Sequence, residues 1–576
     1  MVRTKSKKNK KNTPVTTEKP TLTLKEKLAE KRRIKEERNK LATIISVCLL
    51  FTLAVGLPTG YLIDPKIGLA IGVGIPSFIV AFAYPRLSLW FFLFYMPFSG
   101  TITYWIGGGN VLFQLSKDVF YIPALIALVL QCIKKQKPIF VQKKLIPTFL
   151  LLVAVSIIVL LLVNGLNEFL PYCRDIPEGE RFILRGYGDA VRVPCKDGEP
   201  FLQGLLGLKV FLGYIPLIFC GYYLIENRKQ LIFLARSFVV IAIICCVLGL
   251  VQYWLLDSGR CQGTRGMVGD ALFRATLEAK CFVGGALVFS PSQNMIRLPG
   301  TFVSPWHWAW FLIANAALTF TTAFSDTSKF WRFTGLIGMA LVMVNAVISG
   351  QRIALGLVPV VIVILLVLTG KITDLKQFLP IALGLGLIIG IVMVNNPEVV
   401  QQRIDSFVSR WNAAPPTAFI ERQFEWSLRN TKSILGFGLG TATNSARVFG
   451  PTALIETYHP KLIYEVGLVG LGAFMIFVTH LVIVSLQDYL SLKDKTLHSF
   501  ASCFWVFILI ISYFPYWYPL DTDPVCVYYW LLAGIIFKLP IIEKAENKKL
   551  QQESQETNPK KKRLSRRQKV KSQGAV

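Results

Sequence analysis

Apolar runs close to the length of a bilayer crossing recur along this chain, from end to end. "LIPTFLLLVAVSIIVLLLV" (145–163) and "LPIALGLGLIIGIVMV" (379–394) are two of them, against the roughly 20 apolar residues that a spanning helix needs. A backbone in hydrocarbon must satisfy its own polar groups, so such runs fold as helices. Only 17% of the 576 residues are charged and 53% are hydrophobic, whereas soluble domains carry about a quarter charged residues. So many runs exclude a single anchor on a soluble domain. The expected fold is all-α: a polytopic transmembrane helical bundle of about 12–14 spans.

Spans are predicted near 43–63, 67–84, 87–106, 114–132, 145–164, 204–225, 230–255, 300–323, 333–349, 353–369, 378–395, 461–486, 498–515 and 524–540. With a cytoplasmic N-terminus, alternate exits meet Arg86, "KKQK" (134–137), "ENRKQ" (226–230), "KFWR" (329–332), "GKITDLK" (370–376) and "KDK" (493–495). Every cytoplasmic turn is then positive, as the orientation rule requires, and both termini lie on that side. Much of the net charge of +29 sits in the tails, 1–40 and 543–576. Polybasic tails beside spans meet anionic membrane lipids, and nothing in them calls for nucleic acid. Residues 22–40 alternate charges of both signs, as a charged surface helix does, and no cleavable signal peptide is visible.

Between the tails the chain divides into an N-terminal transmembrane region (41–290), a core (291–490) and C-terminal spans (491–542). Three long segments fall on the external side: 165–203, 256–299 and 396–460. The first two carry Cys173, Cys195, Cys261 and Cys281, which on the oxidising side can form one or two disulfides. The other seven of the 11 cysteines lie in or beside apolar runs and read as packing residues.

Polar residues at span ends invite functional readings, because burying them near lipid is costly. Four constellations stand out on the predicted external side. "ISGQRIALG" (348–356) carries Arg352 between two spans. In "FIERQFEWSLRNTKSILGFGLGT" (419–441), Arg422, Glu425, Trp426 and Arg429 recur at the spacing of an amphipathic surface helix. The "GFGLG" that follows suits a turn where backbone approaches a ligand. "ETYHPKLIYEVGLVG" (456–470) places His459, one of only four histidines, with Glu456 and Glu465 at a span mouth. "IRLPGTFVSPWHWAWFL" (296–312) brings Arg297 to another. Each has a structural alternative: snorkelling for Arg352, a solvated helix face for Arg422 and Arg429, a helix start for His459–Pro460, and an interfacial belt for His307 between two tryptophans. His480 and His498 read as structural.

The order "SGQR", then "ERQFEW" and "GFGLG" in a long external loop, then a histidine before "E-x-G-L-x-G", resembles the O-antigen ligase and polymerase superfamily. "RLPGTF" (297–302) is similar to a further signature of that group, and the resemblance covers about residues 290–480. It implies a membrane-embedded glycosyltransferase of the GT-C type in a bacterial inner membrane, with its active site on the external face. Such enzymes take a glycan from an undecaprenyl diphosphate carrier, without metal, nucleotide sugar or other cofactor. The acceptor is a sugar on lipid A-core, a second lipid-linked repeat unit or a protein hydroxyl. Arg352 and Arg422 match the family's arginine pair, and His459 its histidine. Ligases place nine residues and one small polar residue between that histidine and G-x-x-G. Counting back from Gly467 and Gly470 lands on Glu456, three residues short of His459. If the segment is helical the two share a face, so the base is either His459 or Glu456.

The chemistry suits these residue types. Leaving-group departure concentrates charge on phosphate oxygens, and guanidinium groups stay charged and grip phosphate through two donors. Arg352 and Arg422 are therefore expected to clamp the diphosphate, with Arg429 beside them. A base then takes the acceptor's proton: His459 near its ordinary pKa, or Glu456 or Glu465 if burial raises theirs. Arg297, Arg403, Arg410 and Lys461 are further phosphate or glycan contacts. The reading from another class is a secondary transporter of a small anion such as bicarbonate, a label given to some relatives in the superfamily. Transporters place polar groups near the midplane of two related halves, and no internal repeat is visible here.

Overall fold

The computed structural model describes residues 24–108, 113, 116–176, 182–184, 190–192, 194–265, 267, 281–285, 288–290, 295–371, 401, 405, 408–409, 411–412, 415–431 and 433–556. Among them the chain is all-α apart from two short antiparallel hairpins, Phe182–Leu184 with Ala190–Arg192 and Phe289–Ser290 with Met295–Ile296. Residues 1–80 and 81–576 form two compact units.

In the first unit, helix α1 (Leu24–Phe51) passes from a charged stretch into an apolar one and continues through a π-helical turn, Thr52–Gly56, into α2 (Leu57–Leu62). The chain returns as α3 (Pro65–Ala83). Two glycine pairs let the backbones touch: a Cβ on Gly56 would stand 2.6 Å from the Gly72 Cα, and one on Gly68 2.3 Å from the Gly60 Cα. Small residues four apart are how helices approach closely where lipid supplies no hydrophobic drive.

The second unit continues with α4 (Pro85–Tyr95), α5 (Ser99–Trp105), α6 (Asp118–Lys134), α7 (Ile146–Val159), α8 (Pro200–Leu212), α9 (Leu217–Leu224) and α10 (Arg228–Asp257). Then come α11 (Pro305–Ser325), α12 (Lys329–Ile348), α13 (Arg352–Leu368), α14 (Pro416–Asn430), α15 (Tyr458–Leu490), α16 (Lys495–Tyr513) and α17 (Val525–Glu556). Helix α11 packs against α10, α12, α13 and α16, and α17 against α9, α15 and α16. Every residue of α11 from Trp308 to Ser325 is buried. Its Asn315, Thr319 and Thr321 side chains donate to carbonyls one turn back, at 2.9, 2.5 and 2.7 Å, which satisfies those donors inside the core.

Eight helical segments among the described residues are long and apolar enough to cross a membrane, and the chain is a helical membrane protein. The larger number of spans expected from the sequence meets several departures. Helices α6 and α13 have 17 residues each, and the run at 87–106 is broken by a 3-10 turn, Met96–Phe98. Helix α11 has 21 residues and is buried among other helices from Trp308 to Ser325. The run at 378–395 lies outside the described residues.

Ion pairs join the ends of several helices. Arg228 reaches Asp494 at 2.9 Å and Glu546 at 2.7 Å, and Arg236 reaches Asp326 at 2.8 Å. In the segments predicted to be external, Cys173 pairs with Cys195 and Cys261 with Cys281, each disulfide inside its own loop. The remaining seven cysteines are buried thiols.

Candidate functional site: two arginines and a buried carboxylate

The site starts from a glycine. Gly350, in the turn between α12 and α13, lies at φ +67°, and a Cβ there would stand 2.4 Å from the Ile296 carbonyl oxygen. The turn therefore presses against the strand leading to Arg297, and the Leu298 N–H donates to the Ser349 carbonyl at 3.0 Å. This contact brings Arg297 within electrostatic reach of Arg352, the first residue of α13.

Glu456 arrives from a third direction. Its N–H donates to Gln423 Oε1 of α14 at 3.1 Å, and its carbonyl accepts from the Trp517 N–H at 2.9 Å. Thr457 bridges Tyr516 in antiparallel register. With its backbone held on both sides, Glu456 stands within electrostatic reach of Arg297 and Arg352, and so does Tyr516. Burial pushes the Glu456 carboxyl above its ordinary value, with the two guanidinium groups pulling the other way. Burial likewise raises the Tyr516 phenol, against the pull of Arg352. Arg297, Arg352 and Glu456, from three separate parts of the chain, thus act on one another electrostatically.

The structure separates Glu456 from His459. Helix α15 begins at Tyr458, so Glu456 lies in the extended segment before it and the two do not share a helical face. His459 is buried in the first turn against Phe474 and meets the backbone of Ser512. Among the described residues its Nε2 has no hydrogen-bond partner.

Glu465 and Lys461 belong to a different network. Glu465 Oε1 accepts from the Ala442 N–H at 2.8 Å and from Thr443 Oγ1 at 2.9 Å, and Oε2 lies 3.9 Å from Lys461 Nζ. Lys461 Nζ also pairs with Asp521. The glycines of "GFGLG", all at positive φ, likewise serve protein contacts. The Phe437 and Gly438 N–H groups donate to the Tyr464 and Glu465 carbonyls at 2.8 and 3.0 Å, and Asn164 brackets Leu439 with one bond to its N–H and one to its carbonyl. Gly467, at φ +70°, opens a kink in α15 where the Ile434 carbonyl and Gly436 fit against it. The backbone approach read from the sequence is real, but the partner is protein.

The amphipathic helix predicted in the long loop is α14, and the charged stripe is its outer face. Arg422 is exposed and its Nε donates to the Ala418 carbonyl of its own helix at 3.3 Å. Arg429 is exposed beside Glu425 at 3.4 Å. The inner face carries Gln423, Phe419 against Tyr516, and Trp426 stacked on Tyr464. Arg352 is within electrostatic reach of Arg297, and Arg422 lies on the exposed face of the helix whose Gln423 holds Glu456. Arg403 and Arg410 lie outside the described residues. His307 sits beside Trp306 with Ser304 as its hydrogen-bond partner, His480 meets Thr148 at 3.1 Å, and His498 packs on Tyr489.

Sequence reasoning missed Tyr516, Gln423, Asn164 and the loop Phe514–Pro524. The available signal was in that loop, where Asp521 and Asp523 stand immediately before an apolar run. No known protein family matches the chain, and no curated protein is significantly similar to it.

Proposed function

We propose that this protein is a membrane glycosyltransferase of the O-antigen ligase or polymerase type. It transfers or polymerises a glycan carried on undecaprenyl diphosphate, at the external face of a bacterial inner membrane, with both termini cytoplasmic. The observation that carries the reading is the gathering of Arg297, Arg352 and Glu456 from three separate parts of the chain at one end of the bundle.

Arg297 and Arg352 bind the carrier's diphosphate and stabilise the charge that builds on it as the glycosidic bond breaks. Glu456, ionised and buried, accepts the proton of the attacking acceptor hydroxyl, whose oxygen forms the new bond to the anomeric carbon. Burial favours this role, because a carboxylate held above its ordinary pKa is a stronger base. His459 lies one helical turn deeper, against Phe474, and positions the start of α15.

The test is incubation of the purified protein in nanodiscs with an undecaprenyl-diphosphate-linked glycan and each acceptor class: lipid A-core, a second lipid-linked unit, and a protein hydroxyl. Product with one acceptor, lost in Arg352→Ala and Arg297→Ala, supports the reading. Absence of product with all three removes it.

A second reading, secondary transport of a small anion such as bicarbonate, draws on the buried ion pairs between Lys117 and Asp523 and between Lys209 and Asp118. Intramembrane ionisable groups are what such a pathway uses. Anion uptake into proteoliposomes without glycan transfer would favour it.

A further inference from the structure

The loop Phe514–Pro524, between α16 and α17, carries two consecutive aromatic residues in the left-handed region: Trp517 at φ +54° and Tyr518 at φ +29°. Bulky side chains avoid that region, and such conformations persist only where the surroundings over-determine them. Here the surroundings do. The Tyr458 N–H donates to the Pro515 carbonyl at 2.5 Å, the Trp517 N–H to the Glu456 carbonyl at 2.9 Å, and Trp310 Nε1 of α11 to the Trp517 carbonyl at 2.9 Å. At the loop's far end two carboxylates reach buried lysines on different elements: Asp521 pairs with Lys461 of α15, and Asp523 with Lys117, which precedes α6. The Lys461 and Asp521 side chains are 4% and 11% exposed, and those of Lys117 and Asp523 10% and 16%. Charges this deeply buried hold their geometry strongly, because separating them strands each in a low dielectric.

Lys461 does more than anchor one loop. Through Glu465 it is joined to Ala442 and Thr443, and so to the glycine turn on the other side of α15. One lysine thus ties the aromatic loop and the glycine turn to the same helical turn that follows Glu456.

We propose that the buried Lys461–Asp521 pair, seconded by Lys117–Asp523, is a positioning device that locks the aromatic loop against residues 456–458 and so aims Glu456 at Arg297 and Arg352. Neither pair touches the reacting groups. Their effect passes through the backbone bridge between the Glu456–Tyr458 and Pro515–Trp517 segments. The catalytic half of this inference rests on the transfer reading above, and the structural half does not.

The experiment uses the full-length protein in nanodiscs with Asp521→Asn, which leaves Lys461 paired with Glu465, and Asp523→Asn, which leaves the Lys461 pairs intact. Hydrogen–deuterium exchange is read at the Tyr458 and Trp517 amides, with amides in the middle of α16 as reference. The expected result for Asp521→Asn is at least tenfold faster exchange at those two amides and no change in α16. In the transfer assay kcat falls about tenfold with KM for the lipid-linked donor unchanged, since the arginines keep their places. Asp523→Asn gives a smaller shift of the same kind, and Asp521→Glu restores most of both readouts. Unchanged exchange in a folded Asp521→Asn protein overturns the proposal, whatever happens to turnover. Should Asp521→Asn not fold, unchanged exchange in Asp523→Asn and Asp521→Glu, with transfer lost in Asp521→Glu, overturns it as well. A wild-type protein without transfer activity whose variants still show the exchange pattern removes the proposed function and leaves the positioning role standing.

Discussion

Two groups of charges lie at the same end of the bundle, and they are built on opposite principles. Around Lys461 and Lys117 each buried cation meets a carboxylate across a close ion pair, and Glu465 beside Lys461 also accepts from a backbone N–H and a hydroxyl. Around Arg297 and Arg352, Glu456 stays within electrostatic reach of both guanidinium groups. The first group serves architecture. The second draws its members from three separate parts of the chain, a convergence that the proposed binding of an anionic headgroup would use.

The substitutions expected to act most strongly fall on the second group. Arg352→Ala and Arg297→Ala should each lower glycan transfer by about 10²–10³-fold, the scale of losing one preorganised donor to developing charge, with Tm unchanged. A variant that lost stability instead would move these arginines into the architectural group.

Glu456→Gln comes next, with a loss on the order of 10²-fold or more for removal of a general base. The base works unprotonated, and burial raises its pKa, so wild-type kcat/KM should fall with decreasing pH through a limb centred above the ordinary carboxylate range. That limb should vanish in Glu456→Gln. A limb that survives there would hand the base to another group, with His459 the first to test by His459→Gln.

On the architectural side, Gly467→Ala forces a side chain into φ +70° and places a Cβ 1.9 Å from the Ile434 carbonyl. A cost of about 1–3 kcal/mol is expected, read as a lowered Tm with a lesser effect on transfer. Equal Tm would mean that the glycine turn does not depend on the kink.

Arg422→Ala should reduce transfer by less than about tenfold, the scale of a single exposed charge contact worth up to about 1 kcal/mol. A loss as large as that of Arg352→Ala would show that α14 closes over the site during turnover and would erase the distinction between its outer face and the convergent arginines. Arg429→Ala should be the mildest, within about 0.5 kcal/mol in stability and neutral in transfer, because its pairing with Glu425 is exposed.

The helical, membrane-embedded character was legible in the apolar runs, and so was the amphipathic helix at 416–430, since both patterns are local. Arg297, Arg352 and Glu456 were each visible as polar residues at span mouths. Which arginine partners which was not, because Arg422 and Arg297 carry the same charge and stand equally beside apolar sequence. The contact of Gly350 with Ile296 draws the strand before Arg297 to the turn before Arg352, and no local pattern encodes that contact. The internal partners of Glu465 and Lys461 were not legible for a related reason: a carboxylate and an ammonium at a span end look alike in sequence whether or not they hold Asp521, Ala442 and Thr443.

Composition and periodicity alone determined that this chain is a helical membrane protein and which residues are costly enough near lipid to need a purpose, because transfer to hydrocarbon acts on each segment independently. Tertiary structure alone decided the purpose of each. Pairing of charges depends on distances between residues remote in sequence, and packing sets those distances.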